Sequence, residues 1–256
     1  MDTDLEHIGV AGDSIAVRRR QGRAPGLVWL GGYRSDMLGT KAQALDEWAE
    51  RTGHACLRHD YSGHGESGGR FEDGTISLWL EQSLAVFRRF TSGPQILVGS
   101  SMGAWIALRM IQELRKAGEG EKVAGLILLA PAPDFTVELM EPQLSEAQRR
   151  EIEEKGYLSE PSEYSPEPNI YTKGLFEDGR RNRVLDGLIE TGCPVHILQG
   201  MNDPDVPYTH AEKLLRHLPV CDVTLSLIRD GDHRLSRPQD IDLILRSVEG
   251  MVAQAG

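Results

Sequence analysis

Residues 94–109 read PQILVGSSMGAWIALR: a short apolar run, two serines between glycines, and a second apolar run. The first run, 95–98, has the length and Ile/Leu/Val content of a buried strand. Ala104, Ile106, Ala107, Leu108, Ile111 and Leu114 instead give a helix that is apolar on several sides. Between them, Gly99-Ser100-Ser101-Met102-Gly103 is G-x-S-x-G in a strand–turn–helix context, the pattern of a nucleophile elbow. A strand that reverses directly into a helix crowds the residues two before and two after the turn, and glycine relieves that crowding. Ser101 has glycine at both places, whereas Ser100 would have Val98 and Met102 there. Ser101 is therefore the serine pushed out at the apex, and Ser100 is read as structural.

Working outward, 256 residues suffice for one large α/β domain with an insertion. The formal net charge of -11 argues against nucleic acid or an anionic membrane surface as partner, since both need a basic footprint. The longest apolar run, near 123–133, is about half of a bilayer span, and the first ten residues, MDTDLEHIGV, lack the basic and apolar regions of a signal peptide. No stable membrane anchor and a cytoplasmic location are expected. Cys56, Cys193 and Cys221 are odd in number and far apart, and read as buried free thiols beside strands.

Strand and helix patterns alternate along the chain, which predicts a mostly parallel central sheet with helices on both faces. Residues 8–19 alternate around Gly12-Asp13 as a hairpin ahead of that sheet. Strands are expected at 26–30, 54–60, 95–98, 123–129, 194–198 and 223–228. The pairs Thr40/Gln43, Ser145/Gln148 and Thr209/Glu212 read as helix capping boxes. Residues 134–192 break the alternation, with a charged helix and then Pro161, Pro166 and Pro168. They are expected to be a cap inserted between two parts of one core, 1–133 and 193–256. The segment holds Phe135, Tyr157, Tyr164, Tyr171 and Phe176, which either pack the cap or line an apolar acyl site.

The loops that leave predicted strand C-termini are where open α/β sheets place their chemistry. A serine hydroxyl needs a base within hydrogen-bond reach and a third group that fixes the base's tautomer. His233, after the last strand, is the candidate base, with His64 in the glycine-rich loop 61–69 as its rival. Asp203 is the candidate acid and gives the chain order Ser, Asp, His; Asp205 and Asp232 stay open as alternatives. The oxyanion of an acyl-transfer intermediate needs two preorganised N–H donors, and the amides of Met102 and Tyr33 are the candidates. Gly31-Gly32 lets the second loop approach closely. Neither His59 with His64 nor the acids near Asp230 have metal-ligand spacing, and no glycine pattern fits a nucleotide site, so no metal or cofactor is expected.

With the elbow, the loop Asp60-x-x-Gly63-x-Gly65-x-Ser67 and the loop Gly200-x-x-Asp203-x-x-Val206-Pro207, the chain resembles the α/β-hydrolase superfamily over nearly its whole length. More closely, it resembles the family of mitochondrial palmitoyl-protein thioesterases that also act as mycophenolic acid acyl-glucuronide esterases. The stretches GTKA, GHACLRHDYSGHGESGG, GPQILVGSSMG and Asp232-His233-Arg234 carry this likeness. It implies an α/β-hydrolase fold and a serine hydrolase of acyl thioesters and esters, with nucleophile, acid and base at Ser101, Asp203 and His233. The substrate it implies is a small molecule or an acylated cysteine. Two features depart from the family: no basic, serine-rich transit peptide, which points to a bacterial-type relative, and Leu30-Gly31-Gly32 where many superfamily members have His-Gly. Amide, peptide or C–C hydrolysis by the same triad, and a non-catalytic small-molecule receptor on the same fold, are the alternatives. Epoxide hydrolases and dehalogenases of the superfamily carry aspartate at the nucleophile position.

Overall fold

The computed structural model describes residues 3–161 and 168–255. β1 (Leu5–Val10) and β2 (Asp13–Arg20) form the expected antiparallel hairpin, turned at Ala11 and Gly12, both at positive φ. β3 (Arg23–Leu30), α1 (Thr40–Thr52), β4 (His54–His59), α2 (Ile76–Phe90), β5 (Gln95–Ser100), α3 (Met102–Lys116) and β6 (Val123–Leu129) follow in alternation. Next come α4 (Glu146–Lys155), β7 (Tyr157–Glu160), β8 (Asn169–Thr172) and α5 (Lys173–Arg181), and the chain closes with β9 (Val195–Gly200), α6 (Tyr208–His217), β10 (Val223–Ile228) and α7 (Pro238–Ala255). Eight strands make one sheet in the order β1-β2-β4-β3-β5-β6-β9-β10, antiparallel at β1-β2 and β2-β4 and parallel from β4 onward.

The central strands are continuous apolar runs because both of their faces are covered. Successive side chains point to opposite faces. Val28, Leu30, Leu97, Leu126 and Leu128 meet α2, α3 and α6 on one side, while Leu27, Trp29, Ile96, Val98, Ile127 and Leu129 meet α1 and α7 on the other. Each such side chain, at most 2% exposed, contributes about 1.5–3 kcal/mol of transfer free energy. The helix ends differ in part from expectation. Ser145 and Gln148 form the predicted capping box. Thr40 and Tyr208 are instead the first helical residues of α1 and α6, after Gly39 and Pro207, so Thr40/Gln43 and Thr209/Glu212 cap nothing. Cys56 is buried and Cys193 half-buried, but Cys221 is exposed, against the expectation of three buried thiols.

Between β6 and β9 the chain leaves the sheet. β7 and β8 pair antiparallel as a separate two-stranded unit, and Ile152, Leu158 and Phe176 form a small core of their own. The buried Asp134 carboxylate accepts the amides of Val184, 2.9 Å, and Leu185, 2.9 Å, so the stretch 134–185 begins and ends at one side chain. Burial pushes that carboxyl up to about 6. Asp178 of α5 accepts the amide and hydroxyl of Ser77 at the start of α2, both at 2.8 Å, and the Trp105 indole of α3 donates to the Asn182 carbonyl at 3.0 Å. Tyr164 and Pro166 lie outside the described residues. No helix among the described residues is long and apolar enough to cross a membrane.

Two glycines set the spacing of the loops after β9 and β10. A Cβ on Gly200 would lie 2.4 Å from the Gly231 carbonyl oxygen, which also accepts the Asn202 amide at 2.9 Å. Gly200→Ala should therefore force the two backbones apart, at a cost of about 1–3 kcal/mol by analogy with overpacked cores. The expected result is a thermal midpoint several degrees lower, and an unchanged midpoint would refute the contact. Buried imidazoles supply a second prediction. Burial lowers His59 and His64 from 6.5 to about 4 each, so the unfolded chain takes up protons first as the pH falls. The stability these two imidazoles contribute is full above about pH 6.5 and is lost on the way down to about pH 4. Thermal midpoints measured across this window should fall with acidification, and less steeply in His64→Gln.

Candidate active site

Ser101 joins β5 to α3 at φ 54° and ψ -117°, outside the regions that L residues populate freely. Its surroundings hold it there. Its amide donates to the Leu129 carbonyl at 2.8 Å, and its carbonyl accepts from Ala104 at 3.0 Å and Ala132 at 3.2 Å. A Cβ on Gly99 would lie 2.5 Å from the Gly103 carbonyl oxygen, which is the crowding across the turn expected from the sequence. Gly103 is constrained differently: its Cβ would lie 2.0 Å from the Leu30 carbonyl oxygen, so the second glycine lets the elbow seat against the end of β3.

The loop after β9 supplies Asp203 and the loop after β10 supplies His233. The Asp203 side chain is fully buried. Its Oδ1 accepts the amides of Asp205, 2.9 Å, and Val206, 2.8 Å, and its Oδ2 accepts from Gln199 Nε2 at 3.0 Å and from His233 Nδ1 at 2.8 Å. With Nδ1–H donated to the carboxylate, His233 Nε2 is left to accept the Ser101 hydroxyl, 3.1 Å away. The three residues thus form one continuous hydrogen-bonded relay. Gln199, which the sequence reading did not single out, aims Asp203 by donating also to the Gly200 and Val206 carbonyls, both at 3.0 Å. A buried polar residue just before the acid loop was the available signal.

The alternatives left open in the sequence separate cleanly. Asp232 accepts the Leu235 amide at 3.0 Å, the turn chemistry typical of aspartate. Asp205 lines the cavity beside His233 and gives its amide to Asp203. His64 is occupied at both nitrogens: Nδ1 meets the Ser62 carbonyl at 3.1 Å and Nε2 accepts the Arg34 amide at 3.2 Å. Burial holds it neutral, down to about 4. It braces the loop after β3 and does not reach Ser101 as a base.

Ser101 and His233 open onto a cavity of about 380 Å³, with Tyr33 and Met102 on its wall. Among the described residues, neither the Tyr33 nor the Met102 amide has a protein acceptor. A Cβ on Gly32 would lie 3.4 Å from Ser101 Cβ, so backbone passes directly against the serine, as Gly31-Gly32 suggested. Gly31 itself has room for a side chain. Phe135, Leu139, Met140, Leu144 and Val206 give the cavity an apolar side; Gln143, Gln148, Glu160 and Asn169 add polar groups. Of the aromatics in 134–192, Phe135 and Tyr171 line the cavity, Phe176 packs the small core and Tyr157 is exposed. Burial raises the phenols of Tyr33 and Tyr171, the latter to about 12 with help from Glu160 and Asp205, so both stay protonated.

Asp203, Asp205 and His233 are the one group of described residues whose potential ligand atoms gather within 4.8 Å. Asp203 Oδ2 and His233 Nδ1 already bond each other, so the set fits an acid–base pair better than a metal cage.

The chain is 34% identical over 241 residues to the human palmitoyl-protein thioesterase ABHD10, mitochondrial, covering 93% of this chain and 76% of that protein. Among solved structures it superposes on a putative hydrolase from Agrobacterium vitis S4 with a TM-score of 0.93 and 57% identity, covering 98% of both chains. Mouse alpha/beta hydrolase domain-containing protein 10 gives a TM-score of 0.89 and 30% identity over 99% of this chain and 100% of that one. The alpha/beta hydrolase family profile spans residues 24–241, and by that match and these relatives the chain belongs to the alpha/beta hydrolase family.

Proposed function

We propose that the chain is a serine hydrolase that cleaves carboxylic esters or acyl thioesters through an acyl-serine intermediate. The observation that carries this reading is the Ser101–His233–Asp203 relay, 3.1 and 2.8 Å, opening on a cavity with Tyr33 and Met102 on its wall. Ser101 Oγ attacks the acyl carbonyl carbon as its proton passes to His233 Nε2. Asp203 holds the imidazole in the productive tautomer and stabilises the imidazolium. The Tyr33 and Met102 amides receive the developing oxyanion. His233 then gives the proton to the departing alcohol or thiol, and water attacks the acyl-serine with His233 again as base. This sequence uses side chains, two amides and water.

An acylated small molecule or an acylated cysteine is the substrate we infer. The thioesterase named among the relatives supports it, as does the apolar side of the cavity. Residues 134–192 are read as the cap that forms much of that side. Three free thiols, one of them exposed, fit a reducing compartment such as a cytoplasm.

The test is hydrolysis of matched oxygen-ester and thioester series from acetyl to palmitoyl. Ser101→Ala should lower kcat on the order of a million-fold. Asp203→Asn should lower it roughly ten-thousand-fold by leaving His233 in the wrong tautomer. Ser101→Ala with most of its turnover intact would sink the serine-hydrolase reading. A preference for long thioesters would identify a deacylase, and a preference for short esters a general carboxylesterase.

A further inference from the structure

The loop after β3 does two things at once. Its backbone carries the Tyr33 amide to the wall beside Ser101, and its side chains reach across to the β7–β8 hairpin. The Tyr33 hydroxyl donates to the Ile170 carbonyl of β8, and its ring stacks on Tyr171 with centroids 5.2 Å apart and planes 10° from parallel. The next residue repeats the reach, Arg34 Nη1 donating to the Pro168 carbonyl while its guanidinium sits 5.0 Å over the Phe71 ring. Edge contacts of Tyr33 with Phe71, 4.9 Å, and Phe135, 6.0 Å, complete the ring's cage. On the core side, the Arg34 amide is held by His64 Nε2 at 3.2 Å, and Arg34 itself sits at φ 56°.

The peptide units around the Tyr33 amide therefore lie between two supports: the core, through the Tyr61 hydroxyl on the Gly31 carbonyl at 3.2 Å, the Ser35 amide on the Gly32 carbonyl at 3.1 Å and His64 on the Arg34 amide, and β8 of the excursion. A donor that must meet a developing oxyanion within a few tenths of an ångström is sensitive to either support moving. We propose that the Tyr33 side chain is a positioning residue, a latch through which the seating of the β7–β8 hairpin sets the oxyanion donor. Hairpin and acyl chemistry are then coupled: a hairpin displaced from Tyr33 lowers turnover even for substrates too short to touch it. The latch rests on the serine-hydrolase reading, because it acts through the amide assigned there to the oxyanion.

The experiment compares Tyr33→Phe, which removes the latch hydroxyl, and Tyr171→Leu, which removes the stacking partner from the hairpin side, on acetyl and octanoyl esters of one alcohol. Both variants should lower kcat for the acetyl ester about five- to tenfold, the worth of one hydrogen bond or one aromatic pair, with its KM within about twofold. Affinity for a small trifluoromethyl ketone, whose tetrahedral adduct places an oxyanion in the hole, should fall in parallel. The double variant should cost less than the product of the two single losses, since both loosen the same seating of Tyr33 on the hairpin. A purely structural role would lower the thermal midpoint and leave acetyl-ester kcat and ketone affinity in place. A substrate-contact role would raise KM for the octanoyl ester alone. Either result, in an enzyme that Ser101→Ala inactivates, overturns the latch by itself. Turnover surviving in Ser101→Ala overturns the underlying reading, and the latch with it. Should Tyr33→Phe fail to fold, Tyr171→Leu decides the question from the other side of the contact.

Discussion

A serine held at φ 54° and ψ -117° is the constraint on which the rest of the structure depends. Such a backbone costs on the order of 1–3 kcal/mol and persists only where its neighbours over-determine it. Here they do so from three directions: Leu129 at the end of β6 accepts its amide, Ala132 beyond that strand donates to its carbonyl, and glycines at 99 and 103 let the turn close and seat against β3. Since β3, β5 and β6 are neighbours at the centre of the sheet, the strain is carried by the most deeply packed part of the molecule. The serine stays at the cavity wall because the surrounding backbone cannot relax.

The relay follows the same logic of placing polar chemistry where backbone is already fixed. Asp203 reaches its position through two amides of its own loop and the Gln199 side chain, and the loop that carries His233 is set by the Gly200–Gly231 contact. Each member of the relay thus comes from a different strand end, yet none depends on a long flexible side chain. A buried carboxylate that accepts four hydrogen bonds is well satisfied, which is the condition for keeping a charge in a dry place.

The strand pattern was legible in the sequence because apolar runs bounded by glycine and proline leave few other readings, and the central strands sit where those runs lie. The elbow was legible for a steric reason that holds locally, and Ser101 could be told from Ser100 by their neighbours alone. Helix starts were less legible. Thr40/Gln43 and Thr209/Glu212 have the capping spacing of Ser145/Gln148, but α1 begins one residue and α6 two residues earlier than the pair requires, after Gly39 and Pro207. The choice among Asp203, Asp205 and Asp232 depends on which carboxylate is turned inward by backbone donors, and spacing carries no trace of that. His64 looked like a base because it sits in a glycine-rich loop; burial and two fixed partners give it another task.

Within the excursion between β6 and β9, the stretch 134–185 has both ends gathered at one carboxylate, Asp134, which accepts the amides of Val184 and Leu185. A stretch that departs from and returns to a single clasp behaves as a cassette. The clasp fixes where the stretch enters and leaves, while Asp178 and Asn182 tie its last helix to Ser77 and Trp105 of the core. Within one such scaffold, the walls of the cavity can diverge much faster than its chemistry, and lineages that share the elbow can part company in the molecules they process.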